Sequence, residues 1–289
     1  MGTKPVPANV DSLSLDERRG LRDNSRVRGH LVIYAGFAAV VAAVPASAEP
    51  ICADRPGKAT SACTVPVGDW QIETGLADWT LQKDAGERDT SLVLAETTIK
   101  YGLTDRADIE LDVTPWERFA TRIGSMHQAA SGFGDVNVIY KQMLTPKDAP
   151  VQIVAMPVVK LPTANHSIGN GKWEGGLRLP VGYSIPGTKL SLGLTPEGDW
   201  VADSDGNGHH LAMEQVASLG WAASDKLNVA AEIWGGWDWD PSGTTHQASA
   251  DRSVAYLVND NLQLDAGANF GLNRVTPDVE LYGGMSVRF

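Results

Sequence analysis

Carboxylates set in a row are the residues of this sequence best placed to do chemistry. Asp108, Glu110 and Asp112 alternate with Ala107, Ile109, Leu111 and Val113, so on an extended chain the three acids share one face at ~7 Å spacing. At that distance they repel one another and call for water, cations or basic partners. Two readings stand. If the face lines a wet lumen, the row favours cations over anions. If Lys100, Lys141, Arg178 or Arg288 reaches across, the row closes into a salt-bridged plug. Glu96, Glu232, Asp265 and Glu280 share the inward parity and complete the set of lumen-lining candidates.

A second constellation is the run Asp203-Ser-Asp205-Gly-Asn207-Gly208, followed after five intervening residues by Glu214. It spells a calcium-loop pattern in which oxygen-bearing side chains alternate around a glycine turn. The flanks read as strands, which gives Glu214 no helix from which to aim a bidentate carboxylate. A polar turn rich in Asp, Asn and Gly is the simpler account, and no metal or cofactor is assigned. His209 and His210 are adjacent, so on a strand they face opposite ways and do not share a ligand. No GxSxG elbow occurs, and no Ser/His pair has a recognisable context. The sequence is therefore not read as an enzyme.

The elements that position these residues are strands. Period-two alternation recurs in Leu177–Ile185, Leu262–Leu272 and Val279–Phe289, while helical periodicity is missing from the chain beyond Trp70. With turn signals between the runs, the pattern predicts about twelve antiparallel strands near 70–82, 91–103, 107–116, 133–143, 150–161, 175–185, 188–200, 210–222, 227–239, 248–258, 262–272 and 279–289. Strands of roughly 9–11 residues cross a bilayer at a tilt, and they are longer than those usual in a sandwich. Leu, Val, Ala and Ile fill one face and polar residues the other, as suits lipid outside and water inside. Tryptophans gather near run ends, at Trp70, Trp116, Trp200, Trp221 and the Trp234/Trp237/Trp239 cluster, where aromatic belts would place them. The predicted fold class is thus an all-β transmembrane barrel over 70–289. Segments 116–132, 162–174 and 240–249 are its long loops. Pro157 and Pro180 fall inside predicted strands, where each removes a ladder hydrogen bond.

Composition agrees. The 289 residues hold 24 Lys and Arg against 35 Asp and Glu, a net charge of −11 that argues against nucleic-acid binding. Arg26 to Ala48 has a basic start, a short apolar core and an Ala-x-Ala end, the three parts of an export signal. Residues 1–48 are read as leader and signal, followed by a periplasmic segment over 49–69. In an oxidising compartment Cys52 and Cys63 in that segment are expected to form a disulfide. The last strand places Leu281, Met285, Val287 and the terminal Phe289 on one face. A terminal aromatic on an alternating last strand resembles the assembly signal of bacterial outer-membrane barrels, and the barrel-assembly machinery is its expected reader.

Several runs occur together and in order: Arg55-Pro-Gly57, Val65-Pro-Val-Gly68-Asp-Trp-Gln71-Ile-Glu73-Thr-Gly75, Ile99-Lys-Tyr-Gly-Leu-Thr-Asp-Arg106, Gly132-Phe-Gly-Asp135-Val-Asn-Val, Lys160-Leu-Pro-Thr163, Asp265-Ala-Gly-Ala-Asn-Phe-Gly271 and Arg288-Phe289. Through them residues 55–289 resemble the outer-membrane transporter-like family named "putative MetA-pathway of phenol degradation". The resemblance implies an outer-membrane barrel passing small molecules, hydrophobic or aromatic ones among them. The partners expected are outer-membrane lipid, the assembly machinery and a small-molecule solute. A non-transporting surface or structural barrel and a soluble secreted β-protein are the competing readings.

Overall fold

Alternating side chains build fifteen strand segments in the computed structural model, which describes residues 50–289. The expected leader and export signal over 1–48 lie outside the described residues. The segments are β1 (Trp70–Asp84), β2 (Glu87–Thr104), β3 (Ala107–Val113), β4 (Trp116–Ile123), β5 (Met126–Gly132), β6 (Val136–Met143), β7 (Val151–Leu161), β8 (Glu174–Arg178), β9 (Val181–Ser184), β10 (Leu190–Ala202), β11 (His209–Ala222), β12 (Leu227–Asp240), β13 (Gly243–Asn259), β14 (Leu262–Gly271) and β15 (Val279–Arg288). Every pairing is antiparallel, and β1 pairs with both β2 and β15, which closes the sheet into a cylinder.

Fifteen segments make twelve wall strands because three strands are interrupted. β3 pairs with the lower half of β2 and β4 with its upper half. β5 folds back on β4 and leads into β6, which pairs with β3. β8 and β9 both lie between β7 and β10. The last interruption falls at Leu179 and Pro180. Pro180 has no N–H to give, yet its carbonyl accepts the Val154 N–H at 2.9 Å, and the Leu179 N–H reaches the Pro196 carbonyl at 2.9 Å. Pro157 stays within β7 opposite Leu177, and the β6 ladder skips the residues facing it.

Two expected loops are corrected. Residues 116–132 form the β4–β5 hairpin, and 240–249 are divided between β12 and β13, which a two-residue turn joins. The hairpin shows little alternation because it stands past the lipid band, where neither face needs to be apolar; pairing with β2 sets its structure. Residues 162–173 do form an irregular connection, with those at 203–208 and 272–278, at the end of the cylinder opposite the start of β1 and the end of β15. The start of β1 and the end of β15 meet at the other end, where Trp70 and Phe289 exchange backbone hydrogen bonds at 2.8 and 2.9 Å. Short turns mark that end as periplasmic.

The polarity of the wall is the reverse of a soluble protein's. Leu94, Ile109, Leu111, Leu192, Leu194, Leu219, Ile233, Val254, Leu264 and Leu281 are exposed on the outer face. Gln71, Lys100, Asp108, Glu110, Lys141, Glu232, Asp251, Asp265 and Arg288 are buried within. Burying that many ionisable groups is tolerable only when they pair or hydrogen-bond. The outer apolar surface in turn requires lipid. Trp70, Trp200, Trp221, Trp237 and Trp239 point outward. Trp234 does not: its parity turns it inward, so it leaves the aromatic belt and becomes a buried lumen residue.

Candidate functional site in the lumen

The lumen is occupied by the chain's own N-terminal segment. Residues 51–67 precede β1 and make no regular ladder beyond one parallel bridge, Val67 to Gly102. Ile51, Ala53, Arg55, Lys58, Thr64 and Val65 are nonetheless buried. The Cys52–Cys63 disulfide, with Cα atoms 6.1 Å apart, ties the segment into a loop.

An irregular segment inside a barrel must find partners for its backbone donors, and here the wall carboxylates supply them. Glu73 accepts the Asp54 N–H at 3.1 and 3.0 Å and the Arg55 N–H at 3.1 Å. Glu232 accepts from the Lys58 N–H at 2.8 Å and the Ala59 N–H at 3.4 Å. Asp108 accepts from Val65 at 2.8 Å. Thr195 and Gln71 add contacts to the Thr60 N–H and the Cys52 carbonyl at 3.2 and 2.7 Å.

Side-chain ion pairs hold the same segment. The Arg55 guanidinium grips Asp265 through two nitrogens at 2.9 and 3.3 Å, and the Arg55 carbonyl accepts from Gln263 at 3.2 Å. Lys58 donates to Ser249 at 2.7 Å, lies 3.3 Å from Asp251, and sits 4.6 Å from the ring centre of Trp234. Asp54 is clasped from the wall by Lys100 and Lys141. Burial pushes the Asp54 carboxyl up, but the two ammonium groups outweigh burial and hold it well below the ordinary carboxylate range.

The wall leaves room for this segment. A Cβ at Gly102 would collide with the Pro66 carbonyl oxygen, and one at Gly284 would meet the Arg55 guanidinium at 2.5 Å. Only glycine allows so close an approach of backbone or a large side chain.

Each lumen-lining candidate is placed on the inner side of the wall. Asp108 holds Val65, Glu232 holds residues 58–59, and Asp265 holds Arg55. Glu110 lies 3.6 Å from Lys100 and 3.9 Å from Lys141, while Asp112 accepts from Asn137 at 3.0 Å and Thr98 at 3.4 Å. Glu96 accepts from Thr114 at 3.5 Å and Glu280 from Asn269 at 2.8 Å. Arg178 does not reach the acidic row: it pairs bidentately with Glu197 at 2.8 Å. Arg288 bonds Asn261 at 3.0 and 2.8 Å at the periplasmic rim.

The calcium-loop residues are directed apart. Asp203 bonds His210 at 2.8 Å, and Asp205 caps the Asn207 N–H at 2.8 Å. Glu214 accepts from the Trp234 indole at 3.0 Å. Among the described residues, no group of three or more His, Cys, Asp or Glu is placed to hold a metal ion. His209 and His210 do part as their adjacency requires. His209 stacks on Trp200 with ring centres 6.1 Å apart, and His210 also meets Asp238 at 2.9 Å.

Sequence reasoning misses Asp54, Arg55, Lys58, Glu73 and Trp234 as site residues. Arg55 lies within one of the family runs, and Glu73 shares the parity of Gln71, but no local pattern says that a segment outside the sheet returns into it.

A cavity of about 420 Å³ remains between Pro56 and the periplasmic half of β9–β13. Ser184, Ser191, Asn228, Ala230, Ser253 and Ala255 contribute to its wall, and Lys189 is the one charged residue along it.

An outer membrane channel from Pseudomonas putida F1 superposes with a TM-score of 0.66 at 16% identity, covering 81% of this chain and 99% of that one. The translocator domain of the autotransporter NalP from Neisseria meningitidis gives 0.48 at 13% identity, over 78% and 90% of the two chains. The KdgM porin gives 0.45 at 9% identity, over 76% and 99%. Curated proteins return no match. The family model matches residues 53–289, the barrel together with the segment folded into it. With the inverted polarity of the wall, that places the protein in the outer membrane, and the chain belongs to the family described as "Putative MetA-pathway of phenol degradation".

Proposed function

We propose that this protein is a channel for passive or facilitated uptake of small molecules, and that its solutes are uncharged, hydrophobic or aromatic ones among them. The carrying observation is the cavity beside Pro56, whose wall is neutral apart from Lys189 while the rest of the lumen is crowded with paired charges. Desolvating an uncharged solute there leaves no buried charge unpaired, whereas an ion would have to break the pairs that seat the N-terminal segment. The phenol-degradation description of the family and the channel role of the Pseudomonas protein of like fold point the same way.

In this reading the acidic row serves the segment rather than a cation path. Asp108 and Glu110 face Val65, Lys100 and Lys141, which leaves little free field for a passing cation. Solute must move past residues 57–60, which lie against Glu232 and Thr195.

Proteoliposomes test the reading. A neutral aromatic solute is expected to enter faster than through protein-free liposomes, and faster still with Lys58→Met, which loosens the segment. No flux with either protein would favour a non-transporting surface barrel, for which the dense seating of the segment is the supporting observation.

A further inference from the structure

We propose that the outward face of the arm formed by the upper ends of β1, β2, β4 and β5 binds the phosphate groups of the phosphorylated glycolipid in the outer leaflet. The sheet register sets four basic residues side by side: Lys83 opposite Arg88, Arg88 opposite Arg122, and Arg122 opposite His127. Directly paired residues share a face, so the four form one row across four strands. All four are exposed. Arg118, also exposed, lies four residues below Arg122 on the same face, opposite Leu92. Arg274 from the β14–β15 connection lies beside Lys83 and Arg88.

Among the described residues, Lys83, Arg88, Arg118 and Arg122 enter no ion pair. Like charges directly opposite one another destabilise a sheet, so an unneutralised row of this kind calls for an anion from outside. The acids of the arm do not supply it. Asp84 is paired with Glu87, and Asp89 with Gln82, at the alternate positions, which place them on the opposite face. Asp89 is also engaged by the Thr121 hydroxyl. On a chain of net charge −11, this segregation is local and directional.

Height above the lipid selects the occupant. Trp70, whose ring packs at a tilt against Tyr101 with centres 4.8 Å apart, marks the periplasmic belt, and Trp79 and Trp116 lie on the outward face at the other end. The nine residue steps from Trp70 to Trp79 span ~23 Å along the membrane normal at ~3.4 Å per residue and a tilt near ~40°, matching the ~25 Å apolar band of such barrels. Lys83 and Arg88 lie four residues beyond Trp79 and Leu92, hence ~10 Å further out, at the level of headgroup phosphates rather than of acyl chains or bulk water. Arginine forks suit phosphate oxygens bidentately.

The test uses the full chain in detergent micelles, titrated with bisphosphorylated lipid A, with the same lipid after dephosphorylation, and with inorganic phosphate as competitor. The wild type is expected to bind the bisphosphorylated lipid at least about tenfold more tightly than the dephosphorylated one, and the triple variant K83Q/R88Q/R122Q to lose at least about tenfold in affinity. Variant D84N/D89N, altered on the opposite face, is expected to match the wild type, and retained heat-modifiable gel mobility checks that each protein is folded. Equal affinity for the two lipids, an unchanged triple variant, an equal effect of the opposite-face variant, or displacement by millimolar inorganic phosphate would each overturn the proposal.

Discussion

Arg55 holds the N-terminal segment both through its side chain and through its backbone. Its guanidinium pairs with Asp265, its N–H is taken by Glu73, and its carbonyl by Gln263. The paired side chains are 5% and 0% exposed, so removing one partner strands the other in a poorly solvated site, at a cost of roughly 3–5 kcal/mol. Arg55→Met should therefore lower the thermal midpoint clearly, and Arg55→Met/Asp265→Leu should recover most of the loss; circular dichroism in detergent reads both. An unshifted midpoint in the single variant would show that the pair does not hold the segment. Asp54 sets a pH dependence. Its carboxyl is depressed in the folded chain, so its contribution is in full force above the unfolded value near ~3.9 and is lost as pH falls from there toward the folded value. Asp54→Asn should lower stability at neutral pH and flatten the acid limb of a midpoint-versus-pH curve below about pH 4, a range in which the wild type declines.

At the scale of elements, lipid and water act on opposite sides of each strand. β12 shows both in one run: Ile233 and Trp237 face outward while Glu232 and Trp234 are buried inside. Ile233 lies near the middle of its strand, so Ile233→Arg should cost ~2–4 kcal/mol, the penalty of a cation at mid-bilayer. Reversible unfolding in lipid vesicles measures it, and a near-zero cost would mean that this face does not meet acyl chains. Alternation made most strands legible, including β3, β14 and β15. It failed for β4 and β5, which pair only along β2 and each other above the lipid. It also could not show that Pro180 would split a strand into β8 and β9 rather than end it.

For the whole molecule, the C-terminal strand joins closure to assembly. β15 pairs with β1 and β14, and Leu281, Met285, Val287 and Phe289 share its outward side. We read this face as the signal for the barrel-assembly machinery. Removing Phe289 should reduce the folded protein recovered in the outer membrane several-fold, scored by heat-modifiable mobility, while protein refolded in detergent keeps its barrel. Equal membrane recovery would remove the signal reading. The filled lumen also bears on the function. Ion pairs from β2, β6, β13 and β14 all converge on residues 54–58, and Glu73 of β1 takes the Asp54 and Arg55 N–H groups, so displacement of this one segment would open the interior that the proposed solute must cross.

The sequence by itself determined the class of fold, the lipid face of the regularly alternating strands, and the parity that sends Asp108, Glu110 and Asp265 inward. Those are consequences of a two-residue period, and a period is a local property of the chain. What those acids do there was decided only by tertiary structure. Asp265 meets Arg55 across 210 positions of sequence, and Glu232 meets the Lys58 N–H across 174. No periodicity relates residues so far apart; they are neighbours because the sheet closes on itself and the segment preceding β1 folds back into the space it encloses.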